Sequence, residues 1–234
     1  MGDSIPRLIF DAMKSQHWAF DNSDILVVSQ KIVSKAEGRT VDLRRLTPSN
    51  FAHTIAKQTG KDARHVEAIL RESKRIIRMK GEHLITETKH GFICANSGVD
   101  MSNVSESETV TLLPEDPDES ADKLRAAIRS ASGKEIAVVI SDTFGRPWRM
   151  GQVNVAIGVS GLKPTADYRG SNDMYGYTLK VTEIAVADEI AAAAELVMGK
   201  SERVPAVIIT GFKYEKAEGR GRDLIRPEEQ DLFR

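Results

Sequence analysis

One cysteine in 234 residues, Cys94, is too few for an intrachain disulfide framework, and the chain is expected in a reducing compartment. Its neighbours Phe92, Ile93 and Ala95 are apolar, so Cys94 reads as a small core residue. Net charge is equally scarce. With 33 Lys and Arg against 34 Asp and Glu, the formal charge is -1, and nothing in the balance points to nucleic acid or an anionic membrane as partner. No run approaches the roughly 18 apolar residues of a membrane span, and the opening Met-Gly-Asp-Ser-Ile-Pro-Arg has no apolar signal core, so a cytoplasmic protein is expected. Also missing are a Gly-x-Gly-x-x-Gly fingerprint, zinc-ligand spacing, a nucleophile elbow and an internal repeat, which weakens redox and hydrolase readings. His53 and His65 lie on expected helices without a second ligand at i+4, and His83 and His90 flank an expected strand. All four are read as surface or interfacial residues, not metal ligands.

What is present centres on residues 136–152, Ile-Ala-Val-Val-Ile-Ser-Asp-Thr-Phe-Gly-Arg-Pro-Trp-Arg-Met-Gly-Gln. Five apolar residues read as a buried strand that stops at Ser141-Asp142-Thr143. Ligands in open α/β sheets collect outside the carboxyl ends of strands, and Asp142 with Thr143 offers the hard oxygens that Mg²⁺ shares with substrate phosphates. Arg146 and Arg149 follow in a short loop bent by Gly145 and stiffened by Pro147, a pair suited to anionic oxygens. From this loop alone a metal beside phosphate and a capping Asp with two solvated arginines stay equally open.

Along the chain, residues 4–16 carry Ile5, Leu8, Ile9 and Met13 at helical spacing. A strand at 25–28 ends in Ser29-Gln30-Lys31, with Ser34 and Lys35 shortly after; two lysines and a glutamine there suit phosphates or a base, or are simply solvated. Helices are expected over 49–58 and 61–79, the second on Val66, Ile69, Leu70, Ile76 and Ile77. Strands follow at 84–88 and 91–95, the latter running into Asp100, a second strand-end carboxylate, and Asn103, whose amide suits a base or ribose. A strand at 109–113, a helix over 119–131 capped by Asp118, a close-packed strand at 153–162 and an alanine-rich helix over 183–198 complete the core with a strand at 204–209. Gly199-Lys200-Ser201 imitates a P-loop tail, but it closes a helix instead of opening one. The tail from 212 is charged.

Four of these stretches, residues 24–39, 96–104, 141–151 and 181–199, resemble in order the coenzyme F420:L-glutamate ligases, over nearly the whole chain. The resemblance implies an α+β, two-part fold of mixed sheets with packed helices and an intertwined homodimer. It reads as one ligase unit, 1–234, with interleaved subdomains at 1–80 with 181–234 and at 81–180. It further implies a GTP-dependent ligase that adds γ-linked glutamate to the deazaflavin precursor through an acyl phosphate, with Mg²⁺ or Mn²⁺ and K⁺. By the same resemblance Asp100 and Asp142 are ligands of one metal and Thr143 of a second. Gln30, Lys31, Lys35, Asn103 and the turn Met198, Gly199, Lys200, Ser201, Glu202, Arg203 and Val204 fall where the family contacts GTP. Arg146 and Arg149 are assigned here as anchors for anionic groups of the substrates. Two departures stand out. Lys200 occupies a position where some relatives place an acidic ligand of the second metal, and the family's first strand and loop, before Gly2-Asp3, have no counterpart, which predicts a bare sheet edge and weak GTP binding. A non-catalytic GTP or deazaflavin binder and a ligase for another small acid remain the alternatives.

Overall fold

A computed structural model describes residues 4–101 and 108–231. In chain order it runs α1 (Ile5–Ser15), β1 (Ile25–Ser29), α2 (Gln30–Ala36), β2 (Thr40–Asp42), α3 (Asn50–Thr59) and α4 (Ala63–Glu72). Next come β3 (Ser73–Lys80), β4 (His83–Thr88), β5 (Ile93–Ala95), β6 (Thr109–Thr111) and α5 (Pro117–Ser132). The remainder is β7 (Ala137–Gly145), β8 (Gln152–Ser160), β9 (Ala166–Asp167), β10 (Glu183–Ile184), α6 (Val186–Met198) and β11 (Ala206–Ile209). This is the expected mixture of α and β. Among the described residues no helix is long and apolar enough to cross a membrane.

The central sheet has the order β11-β1-β7-β8, with β1 and β7 parallel and the two outer strands antiparallel to their neighbours. Successive strand residues point to opposite faces, so β1 and β7 feed two cores at once. Leu26, Val28, Val138 and Ile140 pack with Ile5, Ile9 and Met13 of α1 and Leu124 and Ile128 of α5. Ile25, Val27, Ala137 and Val139 pack on the other side against Ala187, Ile190, Ala191 and Ala194 of α6. All eight strand side chains are fully buried, at about 1.5–3 kcal/mol for each large aliphatic one, which makes this strand pair the rigid part of the molecule. A third core gathers Leu43, Ile55, Val66, Ile69, Leu84, Val99 and Val110 around α3, α4 and β4.

Local chemistry sets the element ends. The Ser4 hydroxyl accepts from the Arg7 amide at the start of α1, and Gly133 closes α5 in the left-handed region. Close packing of residues 153–162 is realised at Gly158, where an added Cβ would lie 2.3 Å from the Pro117 carbonyl oxygen.

Four expectations need correction. The helix expected to reach 79 stops at Glu72, and Ile76 and Ile77 belong to β3, because pairing with β4 supplies the backbone partners. Asp116, not Asp118, caps α5 through the Glu119 amide. Asp118 is buried instead, and its carboxylate accepts from the backbone amides of Val159 (2.9 Å) and Gly221 (2.6 Å), tying α5 to β8 and the C-terminal segment. The helix expected from 183 starts at Val186 after the short β10. Lastly, β7 does not stop at Ser141: it pairs with β8 through Gly145, so Asp142 and Thr143 are strand residues on opposite faces.

Candidate functional site

β1 and β7 lie side by side in register, Ser29 opposite Ser141, so the residue after each is brought into one neighbourhood. After Ser29 the chain turns directly into α2, whose first residue, Gln30, is 2 % exposed. Its Oε1 accepts from the Ser34 hydroxyl one turn on (2.9 Å), which fixes the amide, and its side chain hydrogen-bonds the Asp142 carboxylate. Lys31 Nζ lies 2.6 Å from Asp100 Oδ2. Asp100 itself is held by a two-way backbone bridge to Thr111, with N–H to carbonyl distances of 2.9 and 2.8 Å.

Electrostatics join the two carboxylates. Although Asp142 keeps some solvent-accessible surface, its carboxyl is packed deeply enough that burial is the largest influence, pushing its pKa up to about 6. The Asp100 charge pushes the same way, while the Thr143 amide, Lys31 and Gln30 oppose it. Beneath them Cys94 is buried, its thiol pushed up to about 12 by burial and then by the Asp142 charge, so it is an inert core residue as expected.

Thr143 lies in a different setting. Its hydroxyl donates to Asn154 Oδ1 across the β7–β8 pair (2.7 Å) and accepts from Lys200 Nζ (2.7 Å). Lys200 reaches it because α6 ends at Met198 and Gly199, at φ 55, turns the chain back toward the sheet. Met198 is buried, the Ser201 hydroxyl donates to the Glu202 carboxylate (3.2 Å), and Arg203 and Val204 line a cavity of ≈ 570 Å³ with Lys35, Ile5, Ile9 and Ile32.

The expected site residues thus form groups. Gln30, Lys31, Asp100 and Asp142 come together; Thr143 meets Lys200; Lys35, Arg203 and Val204 share the cavity. Arg146 and Arg149 sit at the exposed tip of the β7–β8 hairpin, Arg146 about 13 Å along the strand from Asp142 and donating to the carbonyls of Met150 and Gly151. Asn103 lies outside the described residues. Of the histidines, His65 is not at the surface: it is 8 % exposed on the buried face of α4, and burial lowers its pKa. Sequence reading missed Asn154, Glu195 and Ser34. Asn154 left a usable signal, a single amide in the apolar run Val153 to Val159, where a buried polar side chain requires a partner.

As a cation site, the Asp100–Asp142 pair fits one metal in character. Among the described residues no three His, Cys, Asp or Glu cluster as a resident-metal cage would. Two carboxylates with open positions are instead the Mg²⁺ pattern, in which water and substrate phosphates complete the shell. The surroundings of Thr143 fit a second ion poorly: Asn154 takes the hydroxyl proton, Lys200 takes one of its two lone pairs, and the carboxylate paired with that ammonium, Glu195, is balanced by it.

Comparison with known proteins yields matches along the chain. The family profile described as F420-0:Gamma-glutamyl ligase matches residues 1–211. The coenzyme F420:L-glutamate ligase of Methanothermobacter thermautotrophicus is 49% identical over 236 residues, covering 100% of this chain and 93% of the relative. Its namesake in Methanocaldococcus jannaschii is 47% identical, covering 93% of this chain and 87% of the relative. That of Archaeoglobus fulgidus is 42% identical, covering 100% and 91%.

Proposed function

The chain belongs to the F420-0:gamma-glutamyl ligase family, and from that premise we propose that it is an enzyme joining L-glutamate to the deazaflavin F420 precursor at the expense of GTP. The observation that carries the reading is the convergence of Asp142 and Asp100, with Gln30 and Lys31, where β1 ends beside the middle of β7. A carboxylate is a poor electrophile. Transfer of the GTP γ-phosphoryl group to a carboxylate oxygen of the precursor releases GDP and gives an acyl phosphate. The glutamate nitrogen then attacks the acyl carbon; its C–N bond forms as the C–O bond to phosphate breaks, and the amine gives up a proton. A divalent ion bound by the two aspartates would neutralise charge on the transferring phosphoryl group, where positioning and electrostatics supply most of the acceleration.

The chain's own residues carry the rest. Gln30, locked by Ser34, holds the Asp142 carboxylate in one orientation, and Lys31 does the same for Asp100 while offering positive charge to a phosphate oxygen. Lys35 and Arg203, on the cavity wall, are assigned to the nucleotide. Arg146 and Arg149 are assigned to anionic groups of the substrates remote from the reacting carboxylate.

A homodimer belongs to the same proposal. It is supported by large apolar side chains left exposed along residues 148–181, where Trp148 is 79%, Met150 93%, Met174 88% and Val181 86% exposed, as a covering surface would explain. The two-part organisation is supported by the third core around α3 and α4, separate from the two that flank the central sheet. A cytoplasmic location fits the reducing setting expected from one buried cysteine.

Incubation of the purified protein with GTP, Mg²⁺, L-glutamate and the F420 precursor tests the function. A product heavier by one glutamyl residue, formed with matching GDP and phosphate, is expected. GDP release without a glutamylated product would overturn it.

A further inference from the structure

Lys200 is a cation beside the site; its side chain is 61% exposed, and its ammonium is held at three points. Its Nζ lies 2.7 Å from Thr143 Oγ1, 3.4 Å from Asn154 Oδ1 and 3.1 Å from Glu195 Oε1, three acceptors for the three N–H donors of an ammonium. Each partner is fixed in turn. Thr143 and Asn154 face each other in the β7–β8 register and bond directly, Asn154 is 5% exposed, and Glu195 belongs to the last turn of α6.

We propose that Lys200 supplies a built-in positive charge beside Thr143, in place of a second divalent ion, so that each chain takes one divalent ion, at Asp100 and Asp142. This rests on the metal reading of those two aspartates. The Thr143 oxygen has one proton, directed at Asn154, and two lone pairs, one of which accepts from Lys200. A Mg²⁺ ion on that oxygen would sit about 2.1 Å from it, and so within a few ångströms of that ammonium. Charge decides the matter further. Among the described residues the carboxylate paired with the ammonium beside Thr143, Glu195, is balanced by it, leaving little net attraction for a divalent ion. Among the described residues the charges acting on Asp142 are Asp100 and Lys31, so two carboxylates share one ammonium and the balance is negative.

The arrangement also changes what the positive charge can do. An ammonium tethered to α6 cannot leave with product, and its position follows the turn 199–204 that carries Arg203 to the cavity wall. Lys200 is therefore a positioning and specificity residue that makes the centre on this side independent of metal supply.

Counting bound Mn²⁺ by electron paramagnetic resonance, with Mn²⁺ alone as probe, tests this on the full chain. The native protein is expected to bind about one ion, Lys200→Glu about two, because two carboxylates, a hydroxyl and an amide oxygen then surround one space. Lys200→Arg, which keeps the charge, stays at about one. Asp142→Asn falls to none, and Asp142→Asn with Lys200→Glu returns to about one. A native count of two, or a count that Lys200→Glu leaves unchanged, overturns the proposal. A count that Asp142→Asn does not lower overturns the metal reading on which it rests.

Discussion

On one face of β7, Asp142 meets Gln30, Asp100 and Lys31; on the other, one residue later, Thr143 meets Asn154 and Lys200. The first face is short of positive charge, and its central carboxyl is pushed up to about 6 by burial and a neighbouring carboxylate. The second is complete: every polar atom has a partner, and its one ammonium is balanced by Glu195. A strand is thus able to present two chemistries at adjacent positions, one with an excess of negative charge and one whose charges balance. On the proposed reading the negative face is where a cation gains most, because the fold has already met the cost of gathering like charges.

The largest effect is expected from Asp142→Asn. A neutral amide binds Mg²⁺ far more weakly than a carboxylate, so ligation should fall on the order of a thousandfold in kcat while the fold persists. Asp100→Asn should fall comparably, and the double variant should be no worse than the poorer single one, since one shared ion is lost in each. Steady-state kinetics of the three proteins checks this, and multiplicative losses would place the aspartates in separate sites.

Next in size is an effect on stability that distinguishes the faces without substrate. The Asp142 carboxyl has a pKa of about 6 in the folded chain against an ordinary 3.8. Below about pH 4 it is protonated in both states and contributes nothing. Between 4 and 6 the folded state holds more protons than the unfolded one, so stability falls as pH rises, and above about 6 the loss is constant. In metal-free protein Asp142→Asn should therefore melt higher than the native chain at pH 7.5 and equal to it at pH 4. Added Mn²⁺ should narrow the gap at pH 7.5 by stabilising the ionised carboxylate. A gap of constant size across the range would remove the charge explanation.

How far this division could be read in the sequence depends on which contacts are local. Asp142, Gln30 and Lys31 stood out because each follows an apolar run, while their grouping with Asp100 came only from the family resemblance, since convergence is a matter of sheet register. That Asp142 and Thr143 point apart was not legible, since it required knowing that β7 continues to Gly145 by pairing with β8. Asn154 is a partner only in that register, opposite Thr143. Ile76 and Ile77 fit a helical spacing and a strand equally, and pairing with β4 decided between them. Asp116 and Asp118 both flank the start of α5, and only the long-range demand of Val159 and Gly221 for an acceptor separates cap from core ligand. Arg146 and Arg149 looked adjacent to the carboxylate because a loop was expected; an extended strand carries them to the hairpin tip.

The smallest effect is expected on the balanced face, at Thr143→Val. Valine keeps the shape and removes the hydroxyl, so Asn154 Oδ1 loses its closest donor and Lys200 its closest acceptor. The two residues left are already within 3.4 Å of each other, and Glu195 still holds the ammonium, so Lys200 moves toward Asn154 instead of becoming unpaired. Two hydrogen bonds are lost and the one at 3.4 Å shortens, so the cost is about 1–2 kcal/mol of folding stability, read as a lowered melting temperature, with a small effect on turnover. Thr143→Ser, which restores the hydroxyl, should recover most of it. The Mn²⁺ count must stay at its native value in both variants, because on this reading the Thr143 oxygen holds an ammonium and no metal. Were Thr143→Val to lower the count, or to cost as much as Asp142→Asn, the two faces of β7 would be ligating together, and the separation drawn between them would fail at the residue that defines it.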